Sequence, residues 1–324
     1  MINQPDLLDA FIKALSKKIT KKSELVNFVA NSLKIEKESA SRRLNKKVYF
    51  TVSEMGMLAA KLGISIDGIL KHKYAYTSPP AYALHPPKSV SSIDGLISGI
   101  ETDLKLLKGV LNEITEYGLI FNSLPLEFII PYSNLLKFGY FKWGYYYIGS
   151  EEYNNFSTWQ VPNKLLSFND DILDMYKKIQ NITYIWDVTS IWCLAKDIEY
   201  FSNLRALNEE DVKLIKFDLH KMLHDIEKVS GGTDINHINS NKIQIYLSTI
   251  HLGTQYSYYF SGNKCYSSFH TFFTSSSYSD DYDTCVQLRD WVNSMKKVCN
   301  LISNSGAKER KIFFEEQHKI VDNI

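Results

Sequence analysis

Between Ile35 and Lys47 the chain reads Ile-Glu-Lys-Glu-Ser-Ala-Ser-Arg-Arg-Leu-Asn-Lys-Lys, a stretch that can hydrogen-bond and neutralise a nucleic acid. On a helix beginning near Glu36, Ala40 and Leu44 lie four apart and share the face that turns to a core. Glu38, Arg42 and Asn45 then point the other way, with Lys37 and Ser41 on the flank near the helix start. An arginine can donate to both O6 and N7 of guanine, and a glutamate can accept from the amino group of cytosine. Lys37, Glu38, Ser41 and Arg42 are therefore the candidate base readers, with Arg42 the first choice. Arg43, Lys46 and Lys47 at the helix exit, with Lys21 and Lys22 before it, suit phosphates, contacts that fix position without reading sequence.

Other residues offer chemistry at lower specificity. The run Phe138-Gly-Tyr-Phe-Lys-Trp-Gly-Tyr-Tyr-Tyr147 predicts buried aromatic packing, with a ligand pocket lined by Tyr140, Trp143 and Tyr146 as the sharper alternative. His220 and His224 have a metal-compatible spacing. Lys221-Met-Leu223 between them lacks the glutamate of H-E-x-x-H, so surface histidines are the expectation. Gly231-Gly232 has no following lysine to make a phosphate loop, there is no G-x-S-x-G, and no cysteine sits in a nucleophile signature. No metal, cofactor or enzymatic activity is expected on these grounds.

The candidate helix sits in a charge asymmetry. The whole chain has a net charge of only +1, but Met1 to Lys73 carries twelve Lys and two Arg against four Glu and three Asp, a net +7. A basic amino-terminal piece on an acidic body points to nucleic acid. At 324 residues the chain is long enough for two domains. Four scattered cysteines without a C-x-x-C pair suit a reducing cytoplasm. The apolar region Leu119 to Ile148 is broken by Glu127, Lys137, Lys142, Pro125 and Pro131, so no membrane span is expected.

Around the candidate helix the spacing predicts four others. Leu7, Leu8, Phe11, Ile12 and Leu15 mark the first; Leu25, Val26, Val29, Ala30 and Leu33 the second. Thr51-Val-Ser-Glu54 has the form of a capping box and opens a helix through Met55, Leu58, Ala59 and Leu62, ended by Gly63. Ser65 starts a short fifth helix through Ile66, Ile69 and Leu70. Residues 74–92 hold four of the eight prolines and read as a semi-rigid linker between a domain at 1–73 and one at 93–324. Ile93, Ile97, Ile100, Leu104, Leu107, Leu111 and Ile114 alternate by four and three, a seam on a helix of roughly 33 Å. Leu96 and Val110 widen the stripe, so packing in its own domain and a dimerising coiled coil are both open. Helices are expected over 169–179, 187–203 and 208–229, then a small antiparallel sheet containing Ile243, Ile245 and Leu247 and a hairpin turning at Ser261-Gly-Asn-Lys264. Helices over 282–302 and 307–321 close a larger, mostly helical α+β domain.

The first 70 residues resemble the DNA-binding domain of Cro/cI-like, or XRE-type, regulators. The matching residues are Ala30, Ser41-Arg-Arg-Leu-Asn-Lys-Lys47 against S-R-x-L-N-G-K, and Leu58-Ala-Ala-Lys-Leu-Gly-Ile-Ser65 against L-A-x-x-L-G-[IV]-S. Lys34 and Lys46 stand where that family has glycines, and Arg43 where it is often apolar. The remainder is similar to two-domain regulators that join such a module to a larger domain of unsettled role, through Leu135-Leu-Lys-Phe138 with Trp143, Ile172 through Tyr176, Ile185-Trp186, and Leu301-Ile-Ser-Asn-Ser-Gly306 leading to Arg310 and Phe313-Phe314. The resemblance implies a lambda-repressor-like five-helix helix-turn-helix domain and a cytoplasmic, homodimeric, sequence-specific regulator of transcription that binds double-stranded DNA. Its larger domain would dimerise and answer a small-molecule or protein effector. The rival readings are a protein-interaction scaffold and an enzymatic second domain.

Overall fold

The computed structural model describes residues 4–66, 68–69, 92–110, 114–149, 151–235, 239–272 and 275–324. The chain divides into two compact units, Met1–Ala81 and Tyr82–Ile324. The proline-rich linker lies outside the described residues except for Ser92.

The first unit is helical: α1 (Gln4–Lys18), α2 (Lys22–Leu33), α3 (Lys37–Leu44) and α4 (Val52–Leu62). Their apolar stripes close one core of Leu8, Phe11, Leu15, Leu25, Val29, Ala30, Ala40, Leu44, Phe50, Met55, Leu58 and Ala59. The Thr51 hydroxyl accepts from the Glu54 amide and the Glu54 carboxylate from the Thr51 amide, which satisfies two backbone donors that α4 would otherwise leave bare. Gly63 ends α4 at φ 61°. Ile66, Gly68 and Ile69 have helical backbone, and the Ser65 hydroxyl accepts from the Gly68 amide at 2.9 Å. Leu70, the expected end of that fifth helix, lies outside the described residues.

The second unit mixes helices with a seven-stranded sheet. It contains α5 (Ile93–Val110), β1 (Glu116–Phe121), α6 (Leu126–Ile129), α7 (Ser133–Tyr147), α8 (Asn163–Lys178), β2 (Asn181–Asp187), α9 (Ser190–Asn203) and α10 (Glu209–Ser230). There follow β3 (Ile243–Ser248), β4 (Tyr256–Ser261), β5 (Lys264–Phe272), β6 (Ser275–Ser279), α11 (Tyr282–Met295), β7 (Asn300–Leu301) and α12 (Ala307–Asp322). The strand order is β6-β5-β4-β1-β2-β3-β7. The expected small antiparallel sheet is therefore corrected to a mixed one. Its centre, β1-β2-β3, is parallel, in register Glu116 with Asn181 and Ile182 with Ile243, and antiparallel strands flank it. Helices make both parallel crossovers, as that geometry requires. The β4–β5 hairpin turns through Gly262 at φ 56°.

Alternate residues of the central strands face opposite layers. Tyr117, Leu119, Phe121, Tyr184, Trp186, Ile245 and Leu247 face a core built with α7, α9, α10 and α12, whereas Ile120, Ile185, Tyr258 and Phe260 pack on Cys285, Leu288 and Val292 of α11. Because Tyr258 lies over β1, residue 118 has no room for a side chain: a Cβ there would sit 2.2 Å from the ring. Asn208 and Asp211 form a capping box that opens α10. Arg310 of α12 donates to the carbonyls of Ser230, Ile302 and Ser305, tying α10, β7 and the last loop together.

The seam reading of α5 is corrected. The helix is described over Ile93–Val110 and Ile114 is not helical; that residue is buried in the sheet core beside Tyr117. Ile93, Ile97, Ile100 and Leu104 pack with Leu165, Phe168 and Ile172 of α8, in the same unit. Leu111 and the side chain of Leu107 lie outside what is described. Helix α11 also ends earlier than expected, because the segment up to Ile302 contains a short 3-10 turn and β7. Among the described residues no helix is long and apolar enough to cross a membrane.

Candidate nucleic-acid interface

Helix α3 presents two faces. Ala40 is fully buried and Leu44 nearly so, both in the core of the first unit, and this fixes the roll of the helix. Lys37, Glu38, Arg42 and Asn45 are exposed in consequence, and Ser41 is half-buried, its hydroxyl accepting from Asn45 Nδ2 at 3.2 Å. The side chain of Arg42 has no hydrogen-bond or ion-pair partner among the described residues, so its guanidinium donors face solvent. The turn into α3 is made by Lys34, which is left-handed at φ 54° and ψ 47°, with its amide donating to the Ala30 carbonyl. Lys46 takes the corresponding role after α3 at φ 63°. Both positions thus have the backbone that glycine adopts without strain, and a side chain there costs about 1–2 kcal/mol.

One member of the expected phosphate set is reassigned. Arg43 donates from Nε and Nη2 to the two oxygens of Glu54, at 3.2 and 2.9 Å, with each side chain only 18% exposed. This forked, charge-assisted pair straps α3 to the cap of α4 and leaves Arg43 little freedom to reach a phosphate. Burial acts to raise the Glu54 carboxyl, but the Thr51 amide and Arg43 outweigh it and hold the group below the usual carboxylate range. The remaining cations are exposed: Lys46 pairs with Asp9 at 2.7 Å and Lys21 with Glu24 at 3.0 Å, while Lys22 and Lys47 have no side-chain partner among the described residues. Ion pairs this exposed contribute little and exchange readily for a phosphate.

The three pocket candidates of α7 are placed apart from one another in their contacts. Trp143 is buried and stacks on Tyr147, Tyr140 donates to Asn169 at 3.4 Å, and Tyr146 is exposed against Phe201. The three rings thus meet different neighbours, and none of them lines a cavity among those described. His224 is exposed, but His220 is half-buried against α12. Its ring stacks on that of His318, with the two Nδ1 atoms 2.7 Å apart and its Nε2 3.2 Å from Asp322. Burial first, then the neighbouring His220, pushes the His318 imidazole down.

One cluster escaped the sequence reading. Glu127 of α6 is 6% exposed, and the Tyr184 hydroxyl donates to it at 2.8 Å. Beside them the Tyr176 hydroxyl donates to that of Tyr117 at 3.2 Å and lies 3.4 Å from that of Tyr259. Burial raises the Glu127 carboxyl to about 7, with Tyr184 and Tyr176 acting in the other direction. A signal existed: Glu127 is a lone acid in an apolar run between Pro125 and Pro131.

No family model, curated protein or solved structure is found to be similar to the chain.

Proposed function

We propose that the first unit binds double-stranded DNA with α3 in the major groove, and that the protein is a sequence-specific regulator of transcription acting as a homodimer. The observation that carries this reading is the contrast between adjacent arginines. Arg43 is consumed by Glu54, whereas Arg42 is exposed and uncommitted on the face opposite Ala40 and Leu44. An unpaired guanidinium beside Lys37 and Glu38 at the outer face of a short helix suits base readout, and Lys22, Lys46 and Lys47 supply nearby positive charge for phosphates. The net +7 of the first 73 residues concentrates attraction on this unit. Since α5 packs on α8, a homodimer would use a surface other than the Ile/Leu seam. Two copies would set their α3 helices about 34 Å apart, or a multiple of that, over a pseudo-palindromic site.

The test is selection of genomic fragments by the full-length protein, followed by fluorescence anisotropy at 50 and 200 mM salt. A selected site that is bound well above random duplex, weakens steeply with salt and loses discrimination in Arg42→Ala supports the reading. Equal affinity for every duplex removes the sequence-specific claim.

A further inference from the structure

The cavity beside Glu127 has the features of a ligand site, and the case for it does not depend on DNA binding. It has a volume of about 270 Å³ and lies wholly within the second unit, between α6, α8 and the starts of β2 and β3. That volume is below the roughly 300–1,000 Å³ of pockets for drug-sized molecules and has room for a small metabolite. Its deep end is formed by Glu127, Tyr176 and Tyr184, and its rim by Lys177, Asp234 and Lys242. Apolar side chains such as Ile182 and Ile243 line the walls between them.

The charges at the two ends differ in how they are satisfied. Glu127 is more than nine-tenths buried and has a tyrosine hydroxyl, but no cation, as a partner among the described residues. A buried carboxylate without a counter-ion is costly, and an entering ammonium group would remove that cost. At the rim, Lys177 is paired with Asp174 at 2.9 Å, and Asp234 accepts from the amide and hydroxyl of Ser240. Lys242 donates to the Lys177 carbonyl at 3.3 Å and has no carboxylate partner among the described residues. A bare cation would meet Lys242 and Lys177 on entry, and a bare anion would end against Glu127.

We propose that this cavity binds a small zwitterion of amino-acid size, its ammonium group on Glu127 and its carboxylate on Lys242. The experiment is calorimetric titration of the full-length protein with the twenty common L-amino acids and the ω-amino acids from β-alanine to 6-aminohexanoate. The n-alkylammonium and n-alkylcarboxylate ions of matching length serve as controls. At least one zwitterion is expected to bind ten-fold or more tightly than its matched cation and anion. Glu127→Gln, which preserves shape and an acceptor for Tyr184, and Lys242→Ala, a rim change outside the core, should each weaken it at least ten-fold. Circular dichroism of both variants establishes that they fold. No binding by any zwitterion of the panel, equal binding of a matched single ion, or affinity unchanged in both variants overturns the proposal.

Discussion

Arg42 and Arg43 are neighbours of the same chemistry, and the structure assigns them opposite sensitivities. Replacing Arg43 by Ala removes both donors from Glu54 and leaves that carboxylate held by the Thr51 amide alone among its present partners. Exposed ion pairs contribute about 0–1 kcal/mol, and breaking a buried one costs about 3–5 kcal/mol. With both side chains 18% exposed and the pair forked, Arg43→Ala should fall between, at about 1–2 kcal/mol. Hydrogen exchange read by mass spectrometry on peptides from α3 and α4 of the full-length protein isolates this unit. The amides should open about 5–30 times more readily, the factor that 1–2 kcal/mol represents. Arg42→Ala should leave those amides unchanged, because the exposed side chain has no hydrogen-bond or ion-pair partner among the described residues, yet cost about 1–3 kcal/mol of discrimination between a selected and a random duplex. A cycle of Arg43→Met with Glu54→Gln, which retains the capping box, separates the pair energy from the cap. Unchanged exchange in Arg43→Ala, or an equal loss of discrimination in both single variants, would refute the assignment of Arg43 to α4 and of Arg42 to DNA.

Three other expectations concern the second unit. Gly118→Ala puts a Cβ 2.2 Å from the Tyr258 ring, which is buried and anchored by its hydroxyl to Glu116 at 3.0 Å. The loss should reach about 3 kcal/mol, visible as a lower urea midpoint, and a neutral outcome would show that the ring is free to move. Asp187, fully buried at the end of β2, accepts from the amides of Thr189 and Leu252 at 2.9 and 2.6 Å, so Asp187→Ala strands both donors and should cost about 2–3 kcal/mol by the same assay. His318 titrates below the unfolded value, since burial and His220 outweigh Glu227 and Asp322, so below pH 6.5 the unfolded chain binds more protons. Stability should therefore fall as pH drops from 7 through the folded value, and His318→Gln should flatten that slope; an identical slope in the variant would rule His318 out as its source.

Much of the local structure was legible because it rests on short-range chemistry. The capping box at Thr51, the stop at Gly63 and the turn at Gly262 depend on residues a few positions apart, and the structure has each of them. Lys34 and Lys46, which stand where the resemblance has glycines, both have left-handed backbone. β1 and β2 were missed for an equally physical reason. Both are covered on two faces, so Tyr117 to Phe121 and Ile182 to Asp187 are buried without alternation, and a period of two has nothing to mark.

Periodicity shows which side of an element is apolar, not what covers it. The α5 stripe is as good a seam for α8 as for a second chain, and only the placement of Leu165, Phe168 and Ile172 decides between them. Arg43 is the polar version of the same problem: its partner is eleven residues away, and without that contact it is indistinguishable from Arg42. Glu127 carries the point into chemistry. In the chain it is an acid interrupting an apolar run; enclosed by Tyr176 and Tyr184 it becomes a carboxylate poised near neutrality at the floor of a cavity. A residue's type sets what it can do, and the counter-charges it lacks in the fold indicate what it is kept for. By that criterion Arg42, Glu127 and Lys242, each without an opposite charge among the described residues, are the groups on which the proposed DNA and zwitterion readings stand or fall.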